Sequence, residues 1–149
     1  MPLDGSAEGE HGLSTALPLA RSLGVSLVLL RVLPDLRIGL YDLRAPGLPA
    51  ESNEQWRAAE AHAQAYLDRH RAAAAEGVAT ELMLARGDAA TQIVETAGAD
   101  PGAIIVMSTY SRSEPRSFAL GSVTGRVVRD ARNPVLVVPR EPNAQRVML

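Results

Sequence analysis

Three stretches of the chain are continuously apolar and short: SLVLLRVL at 26–33, AIIVMS at 103–108 and PVLVVP at 134–139. Unbroken runs of this length fit strands of a parallel sheet, which are covered on both faces and so do not alternate. A fourth run, VATELMLA at 78–85, alternates more and suits a position nearer an edge or a polar surface. Helical spacing fills the gaps. Leu13, Leu17, Leu19, Ala20 and Leu23 lie within 10–23, with Gly24 as the stop. Residues 53–75 form a long Ala-rich pattern closed by Gly77, with Trp56, Ala59, Ala63, Tyr66 and Leu67 on the expected inner face. A short helix is expected over 89–98, capped by Asp88, and a last one over 122–131, opened by Ser122.

Strand and helix alternate throughout, which predicts one α/β domain. The expected fold is a five-stranded parallel sheet, doubly wound, with helices on both faces. Ligands in such sheets bind beyond the carboxyl ends of the strands, so the loops after residues 3, 33, 85 and 108 are the candidate positions. The opening MPLDGS carries almost no apolar residue ahead of its turn, so the first strand reads as a truncated stub in the middle of the sheet. Residues 34–52, with Pro34, Pro46 and Pro49, read as a flexible excursion, and 140–149 as a patternless tail.

Composition removes several classes of function. Of 149 residues 46% are hydrophobic and 21% charged, with net charge −2, an ordinary globular balance that points to neither nucleic acid nor membrane. All 15 basic residues are Arg; they are scattered, not clustered. The absence of Cys removes thiolate metal sites and cysteine catalysis, and the absence of Lys removes a P-loop. No secretory signal or membrane span is recognised, so a cytoplasmic location is the expectation. His11, His62 and His70 have no i, i+4 pair, and the helix bearing the latter two reads as solvated; no metal site is expected. Nor does any histidine accompany the serines of 108–122 in a catalytic pattern, so no catalytic residue is assigned.

Residues 103–131 form a buried strand, a loop of small polar residues and a helix opening at Gly121-Ser122. Such a helix end offers free N–H groups to an anion. Five pieces in this order resemble the universal stress protein family: PLDGS (2–6), LVLLRVLP (27–34), RGDAATQIVETA (86–97), ADPGAIIVMSTYSRS (99–113) and GSVTGRVVRDARNPVLVVP (121–139). The resemblance covers 1–139 and implies a Rossmann-like fold of the adenine nucleotide alpha-hydrolase type.

In the nucleotide-binding branch of that family a G-2x-G-9x-G-S/T loop cradles ATP. Here the spacing stands, with Ser108 and Ser111 in place of the first two glycines and Gly121-Ser122 retained. A non-Gly residue forced into the left-handed region costs about 1–2 kcal/mol, so Ser111 is the consequential change. Further contact positions implied by the resemblance are Pro2, Asp4, Val32 and Met107 around the base and sugar, and Arg112, Val123 and Thr124 toward the phosphates. The resemblance thus implies a cytoplasmic stress-response module that binds ATP, with Mg2+, or a related adenine nucleotide, in a regulatory role. It also implies a homodimer through the last strand. The alternative is a nucleotide-free dimeric interaction protein whose loop has lost its ligand.

Overall fold

The computed structural model describes residues 1–34, 53–74, 77–108 and 120–139. Its elements are α1 (Ala7–Glu10), α2 (Leu13–Leu23), β1 (Leu27–Leu33), α3 (Asn53–Ala74), β2 (Thr80–Arg86), α4 (Ala89–Gly98), β3 (Ile105–Ser108), α5 (Ser122–Asp130) and β4 (Val135–Val138). The chain is an α/β domain with parallel strands. The expected excursion beyond Pro34 and the tail lie outside the described residues.

Two apolar clusters lie on opposite faces of the strands. Leu27 and Leu29 of β1 pack with Ala16 and Ala20 of α2 and with Tyr66 and Leu67 of α3. Leu30 faces the other way, among Ala90 and Ile93 of α4, Ile105 and Met107 of β3, and Val127 of α5. Burial on both faces is why β1 and β3 carry no polar alternation. The alternating run is β2, which among the described residues pairs only with β1 and is largely exposed, as an edge position requires. Gly24 closes α2 at φ 64°, the left-handed C-cap anticipated for it.

Three expectations need correction. The helix foreseen over 10–23 begins at Leu13, and a separate short helix, α1, precedes it, capped by Ser6, whose Oγ accepts from Gly9 N at 3.0 Å. Ala59 is exposed, so the inner face of α3 begins effectively at Ala63. The third concerns the sheet. Among the described residues there are two separate parallel pairs, β1 with β2 and β3 with β4, and not one continuous five-stranded sheet.

The first strand explains the division. Only residues 1–3 stand in its place, held to β1 by a parallel bridge between Pro2 and Leu30. Leu3 N donates to Leu30 O at 2.8 Å, Leu30 N to Met1 O at 3.0 Å, and the Met1 amino group to Val28 O at 2.6 Å. Alternate residues of a strand direct their backbone groups to opposite sides. Met1 and Leu3 therefore serve β1, and Pro2 turns toward β3. Proline has no N–H to give, so the stub cannot donate to a ladder on that side.

Burial of the Met1 amino group lowers its pKa from 8.0 to about 6. Between those values the unfolded chain binds more protons than the folded one, so stability rises with pH across that window and is complete above pH 8. At about 1.4 kcal/mol per pKa unit the gain is at most roughly 2–3 kcal/mol. Urea unfolding at pH 5.5 and 8.5 should show it. N-terminal acetylation should remove that part of the difference, and an unchanged pH profile after acetylation would count against it.

Candidate functional site

At the carboxyl ends of β1 and β3 a cavity of about 380 Å3 opens between the stub, α1, α4 and α5. Pro2 and Asp4 form one wall, Val32 of β1 and Met107 and Ser108 of β3 the floor. Gly121, Ser122, Val123 and Thr124 form the opposite wall. Nine of the eleven residues singled out in the sequence thus border one space. Ser111 and Arg112 lie outside the described residues.

The turn into the site is set by Gly5, at φ 81°, where a Cβ would also stand 2.8 Å from an Arg31 guanidinium nitrogen. Glycine is the residue that allows both. Asp4 follows the stub directly, and its Oδ1 accepts from Ser6 N at 2.9 Å and Ser6 Oγ at 2.5 Å. The carboxylate therefore braces the residue that caps α1, as well as facing the cavity. Gly9 approaches the same oxygen so closely that a Cβ there would displace Asp4.

The two later helices begin side by side at the rim, with different endings. Asp88 caps α4, accepting from Thr91 N at 3.0 Å, and receives Arg126 Nη1 from α5 at 2.8 Å. The Arg126 hydrogen bond, then those from Thr91, hold the Asp88 carboxyl far below the usual carboxylate range. In α5 the N-cap is Gly121, and no side chain caps the helix; Ser122 is the first helical residue, one place later than expected for a cap. Among the described residues the first N–H groups of α5 consequently have no side-chain acceptor, at the positive end of the helix dipole, and residues 121–124 border the cavity. Thr124, buried at 4% exposure, turns its Oγ1 back to Ser108 O at 3.4 Å. Ser108 reaches Gly9 O at 3.5 Å, a long contact that spans β3 and α1. No described non-glycine residue has positive φ, so Ser108 occupies the first glycine position of the loop pattern without backbone strain.

Leu3, Gly9, Ala89 and Ile93 also line the cavity and were not foreseen. Ala89 follows the capping Asp88 and Ile93 lies one turn on, so the cap signal pointed at both. Gly9 had no such signal. Nor is His70 solvated, as expected: it contacts Glu10 Oε1 at 3.1 Å and its ring meets Tyr66 edge-on at 4.6 Å. Among the described residues no group of three or more potential ligands gathers around a metal position. No described helix is long and apolar enough to cross a membrane.

The universal stress protein family model matches residues 1–139. Several solved structures share the fold. UspA of Lactobacillus plantarum is 24% identical over 92% of this chain and 93% of its own, with a TM-score of 0.73. The universal stress protein of Archaeoglobus fulgidus in complex with dAMP is 23% identical over 91% and 92%, with a TM-score of 0.59. A universal stress protein in complex with cAMP is 19% identical over 95% and 94%, with a TM-score of 0.62. No curated protein matches the chain.

Gly125 lies in the second turn of α5, where a Cβ would meet only Leu120 among the described residues, at an ordinary 3.8 Å. No described residue comes closer than that contact. Gly125→Ala should stabilise the protein by about 1 kcal/mol, because alanine loses less backbone entropy in a helix. A raised midpoint in thermal unfolding checks this.

Proposed function

The chain belongs to the universal stress protein family, and from that premise we propose that it binds an adenine nucleotide, ATP or a close relative, in a regulatory role. The observation that carries the reading is the gathering of Pro2, Asp4, Val32, Met107, Ser108 and the 121–124 turn around a single cavity. Its volume falls within the range of small-ligand sites. Val32 and Met107 offer an apolar bed for a base. The start of α5, with no side-chain cap, offers N–H donors to phosphate, whereas the matching donor of α4 is already taken by Asp88. Relatives of the same fold in complex with cAMP and with dAMP support the choice of base.

Asp4 is the one ionisable side chain among the described lining residues. Both of its bonds to Ser6 fall on Oδ1, leaving Oδ2 as the oxygen suited to Mg2+ beside the phosphates. A single carboxylate braced in this way is better placed to hold a cation than to activate water, which supports a bound regulator over turnover. Binding then acts by favouring one conformation through its contacts there. The location proposed is the cytoplasm.

The same reading includes a homodimer through β4. That strand pairs with β3 on one side, and Leu136 is 39% exposed. An apolar edge of this kind is well covered by a second copy. The exposed edge also favours the second reading, a dimeric interaction protein without nucleotide.

Calorimetric titration separates the two. MgATP should bind at roughly micromolar strength, and Gly121→Glu, which sets a carboxylate at the open helix end, should weaken it at least tenfold. Silence with ATP, ADP and AMP alike would sink the nucleotide reading and leave the interaction protein. Independently, light scattering after size-exclusion chromatography should give twice the chain mass, and Leu136→Asp should halve it. An unshifted mass in that variant would place the dimer contact elsewhere.

A further inference from the structure

Helix α1 has four residues, Ala7–Glu10, and a single turn does not hold its shape unaided. None of its residues is buried, so no apolar face anchors it. It nevertheless supplies Gly9 to the wall of the candidate site and follows directly on the brace between Asp4 and Ser6. Its tie to β3, from Ser108 Oγ to Gly9 O, is long at 3.5 Å. Shorter polar contacts from another part of the fold keep this turn in place.

Those contacts converge on Glu10. Its Oε1 accepts from the Tyr66 hydroxyl at 3.0 Å and lies 3.1 Å from His70 Nε2. Tyr66 and His70 are one turn apart on α3, which lets both reach one point. Burial, and next the bond to Glu10, raises the Tyr66 pKa well above its usual value, so the hydroxyl keeps its proton and donates. The same ring lies 5.6 Å from the Arg31 guanidinium, and Arg31 Nη1 donates to Leu3 O at 3.2 Å. Tyr66 thus grips residues 3–10 at both ends, Leu3 through Arg31 and Glu10 directly. Its own position is set by the core, where it packs with Leu29 and Leu67.

We propose that Glu10 is a positioning residue of the nucleotide site, clasped by Tyr66 and His70. Through this clasp α3 sets where Gly9 and Asp4 stand, although no described α3 residue lines the cavity. The ligand rests on the nucleotide reading, whereas the clasp can be read without any ligand. Glu10 does not touch the cavity itself and acts through its neighbours in the chain: Gly9 precedes it, and Glu10 N donates to Ser6 O at 3.2 Å. Ser6 in turn holds Asp4 Oδ1, so a shift of Glu10 is passed to the carboxylate that faces the site.

The test reads amide hydrogen exchange at Gly9 and at Leu29 by NMR, with calorimetric titration of MgATP alongside. Glu10→Ala removes the carboxylate while favouring helix, so a looser α1 cannot come from propensity. It should speed exchange at Gly9 at least about tenfold, leave Leu29 within about twofold, and weaken MgATP at least about fivefold. Tyr66→Phe combined with His70→Ala removes both donors and should reproduce these changes, with Glu10→Ala adding nothing further. His70→Gln keeps an N–H donor and should stay near the unaltered protein. Unchanged exchange at Gly9 in Glu10→Ala would overturn the clasp, as would full additivity of the variants. Equal acceleration at Gly9 and Leu29 would overturn a positioning role in favour of general stability. Faster exchange at Gly9 with unaltered MgATP affinity would overturn the link to the site. If the unaltered protein binds no nucleotide, the nucleotide reading fails, and exchange at Gly9 alone decides the clasp.

Discussion

The parallel bridge of Pro2 to Leu30 is a small interaction on which much of the molecule is hung. Three backbone bonds, between 2.6 and 3.0 Å, hold residues 1–3 against β1. The left-handed turn at Gly5 starts from that anchor, and Asp4, Ser6 and α1 follow from the turn. Leu3, 3% exposed, joins the apolar cluster beneath α2 and α3. Without the bridge Asp4 and Pro2 would have no fixed position beside Val32 and Met107. A ladder this short has little cooperativity to draw on, so its neighbours must hold it: Arg31 Nη1 donates to Leu3 O at 3.2 Å and its guanidinium lies 5.6 Å from the Tyr66 ring centre.

Much of this was legible in the residues because several local signals agree with the global arrangement. The apolar runs at 27–33 and 105–108 are strands, and Gly24 and Asp88 end and begin helices where their chemistry says they should. The candidate site was legible through spacing: residues far apart in sequence were selected on a family pattern, and nine of them meet at one cavity. What could not be read depended on three-dimensional neighbours. Ala59 sits at helical spacing from Ala63 yet stays exposed. Gly9 enters the site because α1 is a separate short helix, and the break at 11–12 carries no proline to announce it. His70 looked solvated because its partner, Glu10, is sixty positions away. The division of the sheet follows the first strand, which bridges β1 only at Pro2 among the described residues, and how far that stub would pair could not be read from its residues.

Substituting serine for glycine at 108 carries less weight than it does at first sight. The cost of a non-glycine residue arises from positive φ, and Ser108 sits in β3 with ordinary strand geometry. Its hydroxyl makes a long contact with Gly9 O and its carbonyl receives Thr124 Oγ1, so the side chain helps to join the strand to the helices around it. The anion-attracting end of α5 does not depend on position 108 at all. It depends on Gly121, which carries no side chain of its own to cap the first turn.

A second cavity, of about 460 Å3, lies at the opposite, amino-terminal end of the strands, and it is not independent of the site. Pro2 and Ile93 border both, so the stub and one turn of α4 form the partition between that cavity at one end of the strands and the site at the other. A partition secured along one edge can shift more than one held in a continuous ladder, because fewer bonds oppose its displacement. Motion of Pro2 carries Leu3 and Asp4 with it, and with them the brace on Ser6 and the wall facing α5. Restraint of this short segment by its bonds to β1 therefore sets the geometry of the site without touching any residue that lines only the site, because the wall is suspended from it.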